Sequence, residues 1–188
     1  DENRGYQGKR LQPKKRAAKF WSDYGYLLVT VAVVFVLFKV VFQLAYVPTG
    51  SMETTVPSKS LMVCWRLPYV VSDPVPERGE VVTFWSDEMG KRVIGLPGDE
   101  ISFSGGYVYI NGERLEEDYL PQQGITTSDG VFQVPDGCLF LLGDNRAGSW
   151  DSRSWSQPYI PVSKLQARVL VCASVLKDNS WRGIRTIH

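Results

Sequence analysis

The side chains able to do covalent chemistry in this sequence narrow quickly to serines. There is a single histidine, His188, at a position where a fixed geometry with a nucleophile is hard to build. Ser-His-Asp and Cys-His mechanisms are therefore not expected. The cysteines, Cys64, Cys138 and Cys172, lack the paired spacing of a zinc site or a disulfide scaffold and read as buried apolar residues. No cofactor and no metal are expected. A formal net charge of +1 gives no reason to expect a nucleic-acid partner.

A serine hydroxyl is a poor nucleophile until a neighbouring base takes its proton, and without histidine that base is a lysine or a carboxylate. A Ser-Lys pair is one known solution. Ser51 lies in Pro48-Thr49-Gly50-Ser51-Met52, where proline and glycine permit a tight backbone and an accessible hydroxyl. The same residues fit an ordinary serine in a turn. Lys91 opens Lys91-Arg92-Val93-Ile94-Gly95-Leu96-Pro97-Gly98-Asp99, an apolar run closed by a Gly-Asp turn. It is either a solvated residue at a strand start or a buried base. The second role requires desolvation to lower its pKa by about two to three units from ~10.4, a differential of roughly 3–4 kcal/mol. A third segment, Gly143-Asp144-Asn145-Arg146-Ala147-Gly148-Ser149-Trp150-Asp151-Ser152-Arg153, follows the apolar run Leu139–Leu142. Two readings fit it: a polar turn bonded to its own backbone, or charge pairs of Asp144, Arg146, Asp151 and Arg153 that fix a loop and orient a neighbour.

The elements that would position these groups divide the chain in two. Lys9, Arg10, Lys14, Lys15, Arg16 and Lys19 precede the most apolar stretch, residues 24–47, which approaches the ~20 residues a helix needs to cross a bilayer. Lys39 and Gln43 interrupt it, and aromatic residues from Phe20 to Tyr26 and Tyr46 sit at its margins. A buried core helix and a cleavable signal peptide share parts of this pattern. Basic residues before it, a snorkelling lysine and aromatic margins favour a single span, and Leu44-Ala45-Tyr46-Val47-Pro48 lacks alternating small residues before a cut. The expected organisation is a basic cytoplasmic segment at 1–23, a transmembrane anchor at 24–47, an extracytoplasmic body at 48–176 and a loose tail at 177–188. The body is expected to be mainly β, a coiled-sheet domain with strands at Ser60–Trp65, Glu80–Trp85, Arg92–Leu96, Tyr107–Ile110, Cys138–Leu142 and Ala167–Leu176. Gly105-Gly106 and Asn111-Gly112 read as tight turns, and Asp73–Pro76 and Gln122–Gly130 as loops.

Taken together and in order, the three segments around Ser51, Lys91 and Gly143–Arg153 closely resemble the sequence boxes of bacterial type I signal peptidases. Arg78-Gly79-Glu80-Val81-Val82 looks like the family's remaining box, with Glu80 where aspartate is usual. Thr54 stands where relatives commonly have proline. The resemblance implies a serine peptidase that removes signal peptides from exported preproteins, with Ser51 as nucleophile and Lys91 as general base. It implies an oxyanion site from the Ser51 N–H and the Thr49 hydroxyl, Ser149 as hydrogen-bond partner of the lysine, and Asp151, Arg153, Asp144 and Arg146 as support. It further implies a substrate strand bound between Ala45, Tyr46, Val47, Pro48 and the residues entering Lys91, Met89 and Gly90, with small side chains selected at the first and third positions before the cut. The implied setting is the bacterial cytoplasmic membrane, N-terminus inside, with signal peptides, lipid and nearby export machinery as partners. The apolar residues Leu61–Trp65 and Phe84-Trp85 fit either a membrane-touching surface or ordinary strand burial. Two rivals remain: a self-cleaving Ser/Lys peptidase of the repressor type, and a non-catalytic membrane-tethered β-domain acting as an adaptor.

Overall fold

The computed structural model describes residues 13–53, 55–72, 74–84, 89–174 and 183–187. The expectations that fall on Lys9, Arg10, Thr54, Asp73, Trp85, residues 175–182 and His188 lie outside these. The first compact unit runs to Lys39. It holds α1 (Pro13–Val36), which opens on a proline, a residue tolerated in the first turn because that turn's N–H groups have no helical partner. A π-turn, Leu37–Val41, continues the winding. Lys19–Val41 covers 23 residues with a mean hydropathy of 2.3, about 35 Å of helix against a hydrocarbon core of about 30 Å. Phe20, Trp21, Tyr26, Val29 and Phe35 are all exposed. This helix is long and apolar enough to cross a membrane.

The winding stops earlier than composition suggests. Residues 42–46, read from sequence as the end of the anchor, form strand β1 (Phe42–Tyr46). The physical reason is a change of period: Gln43 and Ala45 are buried while Leu44 and Tyr46 are exposed, the alternation of a strand.

The remaining strands of the body are β2 (Ser60–Trp65), β3 (Val81–Phe84), β4 (Met89–Gly95), β5 (Glu100–Ser104), β6 (Tyr107–Ile110), β7 (Glu113–Arg114), β8 (Phe132–Gln133), β9 (Cys138–Leu142), β10 (Tyr159–Pro161), β11 (Leu165–Ser174) and β12 (Gly183–Thr186). A short helix, α2 (Leu67–Val71), follows β2. The larger sheet is ordered β1-β2-β11-β3-β4-β9-β10, with β12 added to β11, and the smaller β7-β6-β5-β8. All the pairings are antiparallel. Gly105 and Gly106 turn β5 into β6, and Asn111 and Gly112 turn β6 into β7, each pair with both φ values positive, as the tight hairpin turn requires.

The C-terminal segment is not wholly a loose tail. Gly183–Thr186 pairs with Val171–Ser174, and the Ile187 N–H donates to the Leu170 carbonyl at 2.9 Å. Ile187 is buried in the same cluster as Ala45, Val47, Met52 and Met62, which gives a short strand its hold. A second cluster, around Phe84, Leu139 and Leu141, packs the opposite face of the large sheet. A third, around Ile94, Ile101 and Phe140, joins the large sheet to the small one.

Candidate active site

Ser51 sits on a tight turn just after β1. The Glu53 N–H donates to the Gly50 carbonyl at 3.0 Å and the Val56 N–H to the Met52 carbonyl at 2.7 Å. The buried side chains of Met52 and Val56 root the turn in the first cluster, while Ser51 stays half-buried. The other side of the turn is held by residues just after β9. The Asn145 N–H donates to the Ser51 carbonyl at 3.1 Å, and Asn145 Nδ2 donates to the Gly50 carbonyl at 3.0 Å. A methyl group on Gly143 would overlap both the Ser149 hydroxyl and the Ser51 carbonyl. The Ser51 and Ser149 segments thus converge at a point where no side chain fits.

Lys91 lies within β4, flanked by β3 and β9. It is 3 % exposed, so the solvated reading of this lysine does not hold. Its amine donates to Ser149 Oγ at 3.0 Å; among the described residues this is the hydrogen bond it makes, and none is made to Ser51. Burial pushes the Lys91 pKa down to about 8, against the pull of the Asp151 and Asp144 carboxylates and with the help of the Arg153 charge. The Asp151 carboxyl is itself buried, which favours its neutral form. The Arg153 guanidinium, the Gly143 N–H and the Ser149 hydroxyl outweigh that and hold it below the usual carboxylate range. Lys91, Ser149, Asp151 and Arg153 therefore form one connected polar group.

A neutral amine is the form that accepts a proton, so with Lys91 acting as the general base that the family resemblance implies, kcat/KM is expected to rise with pH through about 8. Asp151→Asn removes the charge that most favours the ammonium and leaves the Arg153 charge unopposed. The rise should then move to lower pH, as pH–rate profiles of the two proteins would record. A midpoint that stays in place, or moves up, would contradict this electrostatic account.

Of the four charged residues of the 143–153 loop, two pair outside it and two with each other. Asp144 pairs with Arg92, at 2.9 Å from Nε to Oδ1 and 2.7 Å from Nη2 to Oδ2, both side chains being buried. Arg146 pairs with Glu117 and also donates to Thr126 Oγ1 at 2.8 Å and the Gly143 carbonyl at 3.1 Å. Asp151 and Arg153 pair with each other at 2.8 Å, and Arg153 reaches back to the Arg146 carbonyl at 2.9 Å. Such paired, hydrogen-bonded geometry is what burying these charges demands. Reading the sequence did not single out Arg92, Glu117, Thr126 or Asn145. Their partners lie many residues away, and only the Lys91-Arg92 doublet hinted at one of them.

Of the expected substrate-strand residues, Ala45 and Val47 are buried, Tyr46 and Pro48 exposed, and Met89 and Gly90 open β4. A pocket beside the turn is lined by Val47, Thr49, Ser51, Met52, Val56, Met62, Val81 and Gly90, with a volume of about 10 Å³. That is about one water-sized sphere, room for a methyl group and little more. Ser51 and the residue next to Lys91 thus share one small, mostly apolar wall.

Residues 21–173 match the family model described as signal peptidase, peptidase S26. The chain belongs to this family. It is similar to a probable signal peptidase I-2 of Synechocystis sp., 35% identical over 162 residues covering 80% of this chain and 72% of that protein. It is 34% identical over 172 residues to a signal peptidase I of Bacillus caldolyticus, covering 83% of this chain and 90% of that one. A signal peptidase I of Leptolyngbya laminosa is 33% identical over 143 residues, 70% of this chain and 68% of its own. As a member of the bacterial type I signal peptidases the chain is a serine endopeptidase. The matched residues take in most of the apolar helix and every element that carries the Ser51, Lys91 and 143–153 segments.

Proposed function

We propose that this signal peptidase cleaves signal peptides from exported preproteins with Ser51 as nucleophile and Lys91 as general base. The observation that carries the assignment is the buried Lys91 amine, 3.0 Å from Ser149 Oγ and adjoining Gly90 in the wall of the Ser51 pocket. Neutral Lys91 takes the proton as Ser51 Oγ bonds to the scissile carbonyl carbon. The resulting oxyanion accepts hydrogen bonds from the Ser51 N–H and the Thr49 hydroxyl. When the C–N bond breaks, the lysine gives its proton to the departing amine of the mature protein. Lys91 then deprotonates a water that attacks the ester, and the signal peptide leaves as a free acid. Ser149 orients the amine; the Asp151–Arg153, Asp144–Arg92 and Arg146–Glu117 pairs hold the loop.

The substrate lies extended along Ala45–Pro48 on one side and Met89-Gly90 on the other. A pocket of about 10 Å³ supports alanine-sized residues at the cut. Basic residues ahead of the apolar part of the helix, Lys14, Lys15 and Arg16, support an N-terminus on the cytoplasmic side, with the body outside the cytoplasmic membrane and close to the export machinery that delivers its substrates. Leu44 and Tyr46 of β1, Leu61 and Trp65 of β2, and Val70 and Val71 of α2 are exposed, and support lipid contact by this face of the body. The test is incubation of detergent-solubilised wild type and Ser51→Ala with a preprotein carrying alanines at the first and third positions before the cut. Mature product with the expected N-terminus should form with the wild type alone. Equal cleavage by Ser51→Ala would sink the assignment.

A further inference from the structure

Gln43 is a buried residue of β1 that the mechanism leaves unused. It is 5 % exposed, yet among the described residues neither its side-chain nitrogen nor its oxygen has a hydrogen-bond partner. A buried amide without partners is destabilising, so an apolar residue of similar size would suit a purely structural position better. Its neighbours suggest what could meet it. Gln43, Ala45 and Val47 alternate with exposed residues, so all three side chains lie on one face of the strand, and Ala45 and Val47 belong to the cluster that walls the Ser51 pocket. β1 is also the edge of its sheet, paired with β2 on one side, which leaves its other edge open to an added strand.

Successive residues on one strand face are about 7 Å apart, so Val47, Ala45 and Gln43 step back from the nucleophile in equal strides. A substrate strand running beside β1 presents side chains with the same spacing. Val47 lines the pocket that receives the residue before the cut, so Ala45 meets the third residue and Gln43 the fifth. We propose that Gln43 is a substrate-binding residue that selects a hydrogen-bonding side chain at the fifth position before the cleavage site, its amide acting as both donor and acceptor. This rests on the reading of the chain as a Ser51-dependent peptidase with substrate along β1. It adds a polar requirement to the two small-residue positions nearer the cut.

The experiment uses the full-length, detergent-solubilised enzyme and preproteins that differ at the fifth position alone, in near-isosteric pairs: asparagine against leucine, and threonine against valine. Wild type is expected to process the hydrogen-bonding member about fivefold faster in kcat/KM, the range of one net hydrogen bond. In Gln43→Met the ratio should fall to about one, while cleavage of the leucine substrate is kept. Equal rates on both members by the wild type would overturn the proposal without any variant being made. So would a Gln43→Met protein that keeps the preference, or that unfolds at higher temperature with its substrate ratio unchanged. If instead the wild type cleaves no substrate, or Ser51→Ala cleaves as well as it does, it is the underlying peptidase reading that fails.

Discussion

Lys91→Met is expected to abolish processing and at the same time to make the protein more stable. On the proposed mechanism Lys91 takes the serine proton, and its loss should lower kcat/KM by about ten-thousandfold, as general-base contributions and the collapse of coupled catalytic groups suggest. The stability effect follows from the depressed pKa of about 8. Below pH 8 the amine is charged in both the folded and the unfolded chain, and burying that charge costs the fold about 3 kcal/mol. Above ~10.4 it is neutral in both, and that penalty disappears. Wild-type stability should therefore rise with pH between about 8 and 10, where the unfolded chain holds the proton more tightly than the folded one. Methionine removes the charge while keeping the length of the side chain. Ser149 keeps a partner in Asp151, and losing the Lys91 hydrogen bond costs about 1 kcal/mol. The net gain should be about 2 kcal/mol at pH 6–7, fading as the pH is raised through that window. Denaturant unfolding at pH 6 and pH 10 measures it. A variant that is less stable than wild type at pH 6 would show that Lys91 is structural.

Asp144→Ala should have the opposite character, a large loss of stability followed by a loss of activity. Arg92 and Asp144 are each within 1 % of complete side-chain burial, so removing the carboxylate takes a buried, bidentate counter-charge from the guanidinium. Its bond to the Gly79 carbonyl at 2.6 Å and its stacking over the Tyr119 ring at 3.9 Å carry no full negative charge to replace the one removed. Breaking such a pair costs about 3–5 kcal/mol, a large share of the ~5–15 kcal/mol that holds a domain together. Asp144 also precedes Asn145, which grips Gly50 and Ser51, so the turn bearing Ser51 should loosen as well. The pair itself is not expected to be a net source of stability. The double variant Arg92→Met with Asp144→Leu should recover most of the lost unfolding free energy, and denaturation of the two proteins side by side decides the point.

Strands with clear borders were legible from residue type alone. Ser60–Trp65 and Cys138–Leu142 have the expected bounds, because each is an apolar run closed by turn-forming or proline-containing segments. β1 was not, since Phe42, Leu44 and Tyr46 continue the composition of the helix before it, and only the alternation of burial reveals the new period. Setting histidine aside made Ser51 and Lys91 a chemically permissible pair and no more; the resemblance to the signal peptidase boxes singled them out and gave Ser149 its role, while Asp151 lay in a dense polar segment after an apolar strand. Lys91's burial depends on the packing of β3 and β9 around it, which no local pattern encodes. Nor does one encode the Arg146–Glu117 pair, whose members are 29 residues apart, or the Arg92–Asp144 pair, 52 apart.

The grip of Asn145 on the Ser51 turn joins residues 95 positions apart. A growing polypeptide presents its early residues first, so Ser51 is made long before anything exists to hold its carbonyl or to set Ser149 against Lys91. A nascent chain that stops short of Gly143 carries the hydroxyl and the amine but not the loop that brings them into register. On the proposed mechanism, competence to cut is thereby expected only once nearly the whole body has been synthesised and closed.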